Sequence, residues 1–128
     1  MLLEEVTTMD LLAEDSYLVT MEAIVRYAGA SGDFTPLHYD RVALAATGHD
    51  DFFAMGMLVA GRLGGLVATT WGDEAVRAIS VRFVQTSRVG STVTTRVLAT
   101  GQPGHVRLEA VADDGSVVAT GTAEVTSG

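Results

Sequence analysis

Residues 27–40, YAGASGDFTPLHYD, place a carboxylic acid, Asp33, five positions before an imidazole, His38. Gly32 precedes the pair and Pro36 lies within it. A glycine lets the backbone turn out of the preceding segment, and a proline stiffens the residues around it. One short, stiff loop therefore presents two groups able to converge on a single water, which is equipment for acid–base chemistry near neutral pH. Taken alone, the pair supports a plainer reading as well: Asp33 caps a turn and His38 fills a satisfied polar pocket.

Other chemistries lack their residues. The chain has no cysteine, which removes disulfides, thiol nucleophiles and thiolate metal sites. No His/Asp/Glu set has the spacing of a metal site. Ser31 sits in a glycine-flanked turn but not in a G-x-S-x-G elbow, so Ser31 and Gly32 read as shape-setting residues. Gly101 and Gly104 precede no helix and are hairpin residues rather than a phosphate cradle. His49 and His105 fall in or beside turns and read as solvated, as do the acidic pairs Asp50-Asp51 and Asp113-Asp114.

The elements that must position the loop can be read from capping and periodicity. After an amphipathic, acidic N-terminal segment, residues 16–20 predict a short strand. Thr20 is placed to cap a helix from Met21 to about Ala28, with Glu22 in its first turn and an apolar stripe of Ile24, Val25 and Ala28. Residues 29–32 end that helix and deliver the chain into the Asp33–His38 loop. Asp40 reads as the cap of a second helix, Arg41 to Ala46, closed by Gly48. From Gly56 to about Thr70 residues are apolar or small on every side of the helical wheel except at Arg62, the pattern of a helix buried all round. Gly61 and Gly65 within it suggest close helix packing. Beyond Trp71, residues 75–86, 91–100, 105–112 and 117–126 alternate and are rich in Val, Thr and Ile, predicting strands separated by turns. An early strand, one buried helix and a four-stranded meander make an α+β domain whose antiparallel sheet wraps a helix.

Composition bounds the possibilities. At 128 residues, the chain is read as one domain spanning residues 1–128. A net charge of −8, with eight arginines and no lysine, offers no basic stripe and excludes nucleic acid as a partner. The N-terminal Met-Leu-Leu-Glu-Glu lacks the positive region of a signal peptide, and Arg62 interrupts the one long apolar stretch. A cytoplasmic protein without a membrane partner is expected.

The string Gly32-Asp33-Phe34-Thr35-Pro36-Leu37-His38, preceded by a tyrosine and small residues and followed by Asp40 and alanines, closely resembles the hydratase motif of the MaoC-like dehydratases. That group includes R-specific enoyl-CoA hydratases and hydroxyacyl-ACP dehydratases. The resemblance runs from about Leu18 to Val125. It implies a hot-dog fold and a hydro-lyase of lipid metabolism that adds water to, or removes it from, the α,β double bond of an acyl-CoA or acyl-ACP thioester without a cofactor. It implies further that Asp33 and His38 hold and activate the water, their individual proton roles unassigned because a close pair titrates as a unit. The family's enolate-stabilising N–H lies at a His-Gly dipeptide opening the central helix; the matching residues here are Met55-Gly56-Met57. Gly56 suits that role, since no side chain blocks the approach and free N–H groups at a helix start favour negative charge.

Two positions depart from the family. Thr35 stands where asparagine is usual, and Met55 replaces the histidine. Both point to an altered pocket or to a subunit that pairs with a different chain, and Thr35, Met55 and Met57 are the candidate substrate-binding residues. Phe52, Phe53, Met57 and Trp71 fit either an acyl tunnel or the core. A sheet wrapped on one helix leaves an edge strand, so a dimer is expected, either with a second copy or with another MaoC-like chain. The acidic chain favours CoA over an acidic carrier protein. A hot-dog acyl-thioesterase is the remaining alternative, against which the GD…PLH string speaks.

Overall fold

A computed structural model of the protein describes residues 10–126. Strand β1 (Leu11–Leu18) leads to helix α1 (Met21–Ser31), a single 3-10 turn (Pro36–His38) and the short helix α2 (Arg41–Ala46). The long helix α3 (Gly56–Trp71) follows, then a second 3-10 turn (Asp73–Ala75) and four strands: β2 (Val76–Phe83), β3 (Thr92–Ala99), β4 (His105–Ala112) and β5 (Val117–Val125). The strands form one sheet in the order β1-β3-β4-β5-β2, antiparallel throughout. Strands β3, β4 and β5 make the central meander, and β1 and β2 are its two edges.

Helix α3 packs on one face of this sheet through Val59, Leu63 and Val67, each at most 2% exposed and four residues apart. They meet a floor of Val93, Val97, Leu108, Ala110 and Ala119 in one buried cluster. Burying each valine or leucine this fully contributes about 1.5–3 kcal/mol, so this seam holds helix to sheet. A sheet curled about one helix is the hot-dog arrangement that the motif implies.

Helix α3 is not buried all round. Met57, Gly61, Arg62, Gly65 and Thr69 are exposed. The physical reason is that this face carries little to bury: two of its residues have no side chain and one is charged. Gly61 and Gly65 have no neighbouring atom within 4 Å of where a Cβ would stand, so they make no close helix contact.

Strand β1 is longer than its sequence suggests and begins at Leu11. Glu14 and Asp15 break its alternation, but pairing with β3 from Leu11↔Leu98 to Leu18↔Thr92 supplies the ladder, and Glu14 accepts from Arg96 at 2.7 Å. The preceding acidic segment, residues 1–9, lies outside the described residues. Helix α1 runs three residues beyond Ala28, to Ser31. Strand β2 stops at Phe83 rather than continuing to Thr86, because the amides of both Val84 and Gln85 turn to the carbonyl of Val118, at 2.9 and 3.2 Å. That doubled contact peels the chain from the sheet edge. Among the described residues, no helix is long and apolar enough to cross a membrane.

Candidate active site

The acid–imidazole loop is fixed at both ends by helix caps. At its near end, Thr20 opens α1 by accepting from the amide of Ala23 at 3.0 Å. Gly32 closes α1 in the left-handed region, at φ +76°, where its amide donates to Ala28 at 2.9 Å. A side chain there would be strained, which is why the turn into the loop falls on glycine. At the far end, Asp40 opens α2, its carboxylate accepting from the amides of Val42 at 2.9 Å and Ala43 at 3.5 Å. Between the caps, Ser31 donates its hydroxyl to the carbonyl of Tyr27 at 2.7 Å and accepts from the amide of Asp33 at 3.1 Å.

Asp33 is held by Thr35. One carboxylate oxygen, Oδ1, accepts from the Thr35 hydroxyl at 2.7 Å and from its amide at 3.3 Å. These two bonds, the hydroxyl first, hold the Asp33 carboxyl below the usual carboxylate range, and the His38 imidazole adds to the effect. Asp33 is therefore ionised at neutral pH, with Oδ2 left over as an acceptor.

His38 is buried, 8% exposed, and its Nδ1 lies 3.0 Å from the carbonyl oxygen of Phe53. A carbonyl can only accept, so Nδ1 carries the hydrogen, and in the neutral ring Nε2 bears a lone pair. The Phe53 ring packs edge-on against the imidazole with centroids 5.2 Å apart. Phe53 belongs to a strap, residues 52–54, that is itself pinned: Ala54 donates its amide to the Ser87 carbonyl at 2.8 Å, and Val89 donates to Phe52 at 2.9 Å. The segment leaving β2 thus holds the strap, and the strap orients the histidine.

His38 and Gly56 line one cavity of about 340 Å³. Ala54, Val59 and Val118 give it apolar walls, while Phe83, Gln85 and Thr86, all exposed, stand nearer its opening. Gly56 is the first residue of α3, and no side chain caps this helix start. Its lack of a Cβ matters: one built there would stand 3.1 Å from the Phe83 ring.

The structure thus brings His38 and Gly56 to a common space and sets Asp33 and Thr35 in the loop that carries His38. Asp33 and Thr35 are not part of the cavity wall. Met55 is 3% exposed and belongs to the core, Met57 is 60% exposed, and neither lines the cavity. Of the four acyl-tunnel candidates, Phe53 alone lines it; Phe52 is buried with the Arg41 guanidinium 4.9 Å from its ring, and Trp71 closes the opposite end of α3. Sequence reasoning missed the Phe53 carbonyl and the wall formed by Phe83 to Ser87. A backbone carbonyl has no residue signature. The polar run Gln85-Thr86-Ser87, which interrupts the alternation of β2, was the available sign of the second.

Comparison with known proteins agrees with this fold. The sequence profile described as MaoC like domain matches residues 3–120. An (R)-hydratase from A. caviae involved in PHA biosynthesis is similar in structure, with a TM-score of 0.78 and 26% identity over 93% of this chain and 95% of that one. R-hydratase PhaJ1 from Pseudomonas aeruginosa gives 0.79 and 22%, covering 92% and 79%. The ChsH1-ChsH2 complex from Mycobacterium tuberculosis gives 0.79 and 23%, covering 93% and 96%. No curated protein matches the sequence.

Proposed function

This chain belongs to the MaoC like domain family, and we propose that it is an enoyl-thioester hydratase, working reversibly as a 3-hydroxyacyl-thioester dehydratase. The observation that carries the reading is the 3.0 Å contact of His38 Nδ1 with the Phe53 carbonyl: with Nδ1–H committed there, the neutral ring keeps its Nε2 lone pair for a cavity that also holds the start of α3. In hydration, one water is held by Nε2 and by the ionised Asp33. The pair takes a proton as the water oxygen bonds to C3, and the electrons of the double bond move onto the thioester oxygen. The same proton is then returned to C2, so the product is the 3-hydroxyacyl thioester and the enzyme is unchanged. The enolate oxygen accepts from the Gly56 N–H, a donor whose loss typically costs on the order of 3 kcal/mol in the barrier. Dehydration is the reverse.

A CoA thioester is the preferred substrate form, given the net charge of −8, and the R configuration at C3 is the family expectation. The partner is a second hot-dog chain, a copy or a relative, at the open edge of β2, where Ile79, Phe83 and Val84 are 38–51% exposed. The M. tuberculosis neighbour, a complex of two named proteins, makes a related partner chain the reading to set beside a homodimer. Gel filtration of the isolated chain separates these: a dimer indicates self-pairing, a monomer an absent partner. The catalytic reading is tested by hydration of crotonyl-CoA and of longer and bulkier enoyl-CoAs, followed at the enone absorbance. Expected is loss of the enone with an intact thioester; release of free thiol would instead mark a thioesterase.

A further inference from the structure

The chain leaving β2 changes character at the cavity that holds His38 and Gly56. Val84 and Gln85 both give their amides to the Val118 carbonyl, which turns the backbone off the sheet edge. At that turn two neutral polar residues, Gln85 and Thr86, line the cavity, and both are exposed. Among the described residues neither side chain makes a hydrogen bond. The buried side of the cavity is apolar: Val59 and Val118 are each 2% exposed and Ala54 5%. No arginine, aspartate or glutamate lines it. Arg88, two residues beyond Thr86, is engaged with Asp50 at 2.8 Å.

These surroundings select the chemistry that fits. A carboxamide and a hydroxyl can each donate and accept, and neither carries charge. They match a secondary amide, with its one N–H and one C=O, better than a phosphate, which calls for charge-assisted donors such as arginine. In the proposed hydratase the thioester oxygen lies at the Gly56 N–H, and the apolar side takes the acyl chain. The part of the substrate beyond the sulfur then leaves through the opening, past Gln85 and Thr86. In a CoA or a carrier-protein thioester that part is a pantetheine arm with two secondary amides. An amide that gives up water on entering a cavity needs replacement partners there.

We propose that Gln85 and Thr86 form the carrier-arm site of this protein, hydrogen-bonding an amide of the pantetheine arm as it leaves the cavity. The inference rests on the cavity being the acyl site of the proposed hydratase, and its test is by binding, independent of turnover. Saturated butyryl thioesters of increasing length are titrated by calorimetry into wild type, Gln85→Ala and Thr86→Val: the ethyl thioester, the N-acetylcysteamine thioester with one amide, the pantetheine thioester with two, and butyryl-CoA, which adds the phosphates. In wild type, adding an amide should tighten binding about three- to tenfold. Each variant should lose most of that gain, bind the ethyl thioester as wild type does, and keep the wild-type step from pantetheine to CoA. Both residues are exposed and bond nothing, so both variants should keep the wild-type Tm. No amide gain in wild type, a gain that survives in either variant, a loss equally large for the ethyl thioester, or no binding of any thioester would each overturn the proposal. An amide gain erased by both substitutions, in a protein that hydrates no enoyl-CoA, would leave the arm site standing and sink the hydratase reading instead.

Discussion

Thr35 occupies the place that asparagine usually holds in this family, and in this protein its hydroxyl is the strongest tie on the Asp33 carboxylate. The consequence has a definite sign. A carboxyl held below its usual range stays ionised to lower pH, and its charge is lost as pH falls through that depressed value. Thr35→Val removes the hydroxyl bond and keeps the amide bond. The acid limb of the kcat/KM profile for hydration should therefore move to higher pH, and Thr35→Ser should leave it in place. An unmoved limb in Thr35→Val would detach Asp33 from the observed ionisation. At this scale the acid and the imidazole were legible from the sequence because five residues of chain and two helix caps confine them to one loop. The carbonyl that sets the His38 tautomer was not, since it comes from Phe53, fifteen residues on, and any residue type would supply it.

Helices α1 and α2 were legible to within a few residues because their start signals are local: Thr20 and Asp40 make the cap bonds their types suggest. Asp40→Ala should cost about 1 kcal/mol, measured by denaturant unfolding, with little effect on the intrinsic chemistry. Strand β1 was less legible, because its ladder partner β3 lies some eighty residues away and no local pattern reports it. The exposed outer side of α3 was likewise hidden, since small residues look the same on a helical wheel whether covered or bare. Two glycines have roles that only packing reveals. At Gly56, Gly56→Ala forces the Phe83 ring aside at the helix start, so kcat for hydration should fall at least tenfold with the fold retained, as circular dichroism would report. At Gly121 in β5, a methyl group would collide with the backbone carbonyl of Ser80 on β2. Gly121→Ala should therefore destabilise the protein by on the order of 2 kcal/mol or more and loosen the β2 edge.

Across the whole molecule, one titration links core packing to stability. Burial pushes the Tyr17 hydroxyl up to about 12 from 10.0, against the opposing pull of Arg62, whose guanidinium lies 4.5 Å from the ring. An unfolded tyrosine ionises near 10, so the folded state loses stability as pH rises from about 10 through about 12. Tyr17→Phe removes a buried hydroxyl that has no partner, so its stability at pH 7 should equal or exceed that of wild type, and its loss of stability in this alkaline window should be smaller. Phe53 and His38 together line the cavity, and the proposed function stands on whether that imidazole and its neighbouring acid perform the chemistry. The most direct measurement is kcat/KM for enoyl-CoA hydration in wild type, Asp33→Asn and His38→Ala, with folding verified for each. Measurable wild-type turnover and a fall of about 10²–10⁴-fold in both variants are expected; well-folded variants that hydrate at the wild-type rate would contradict the mechanism.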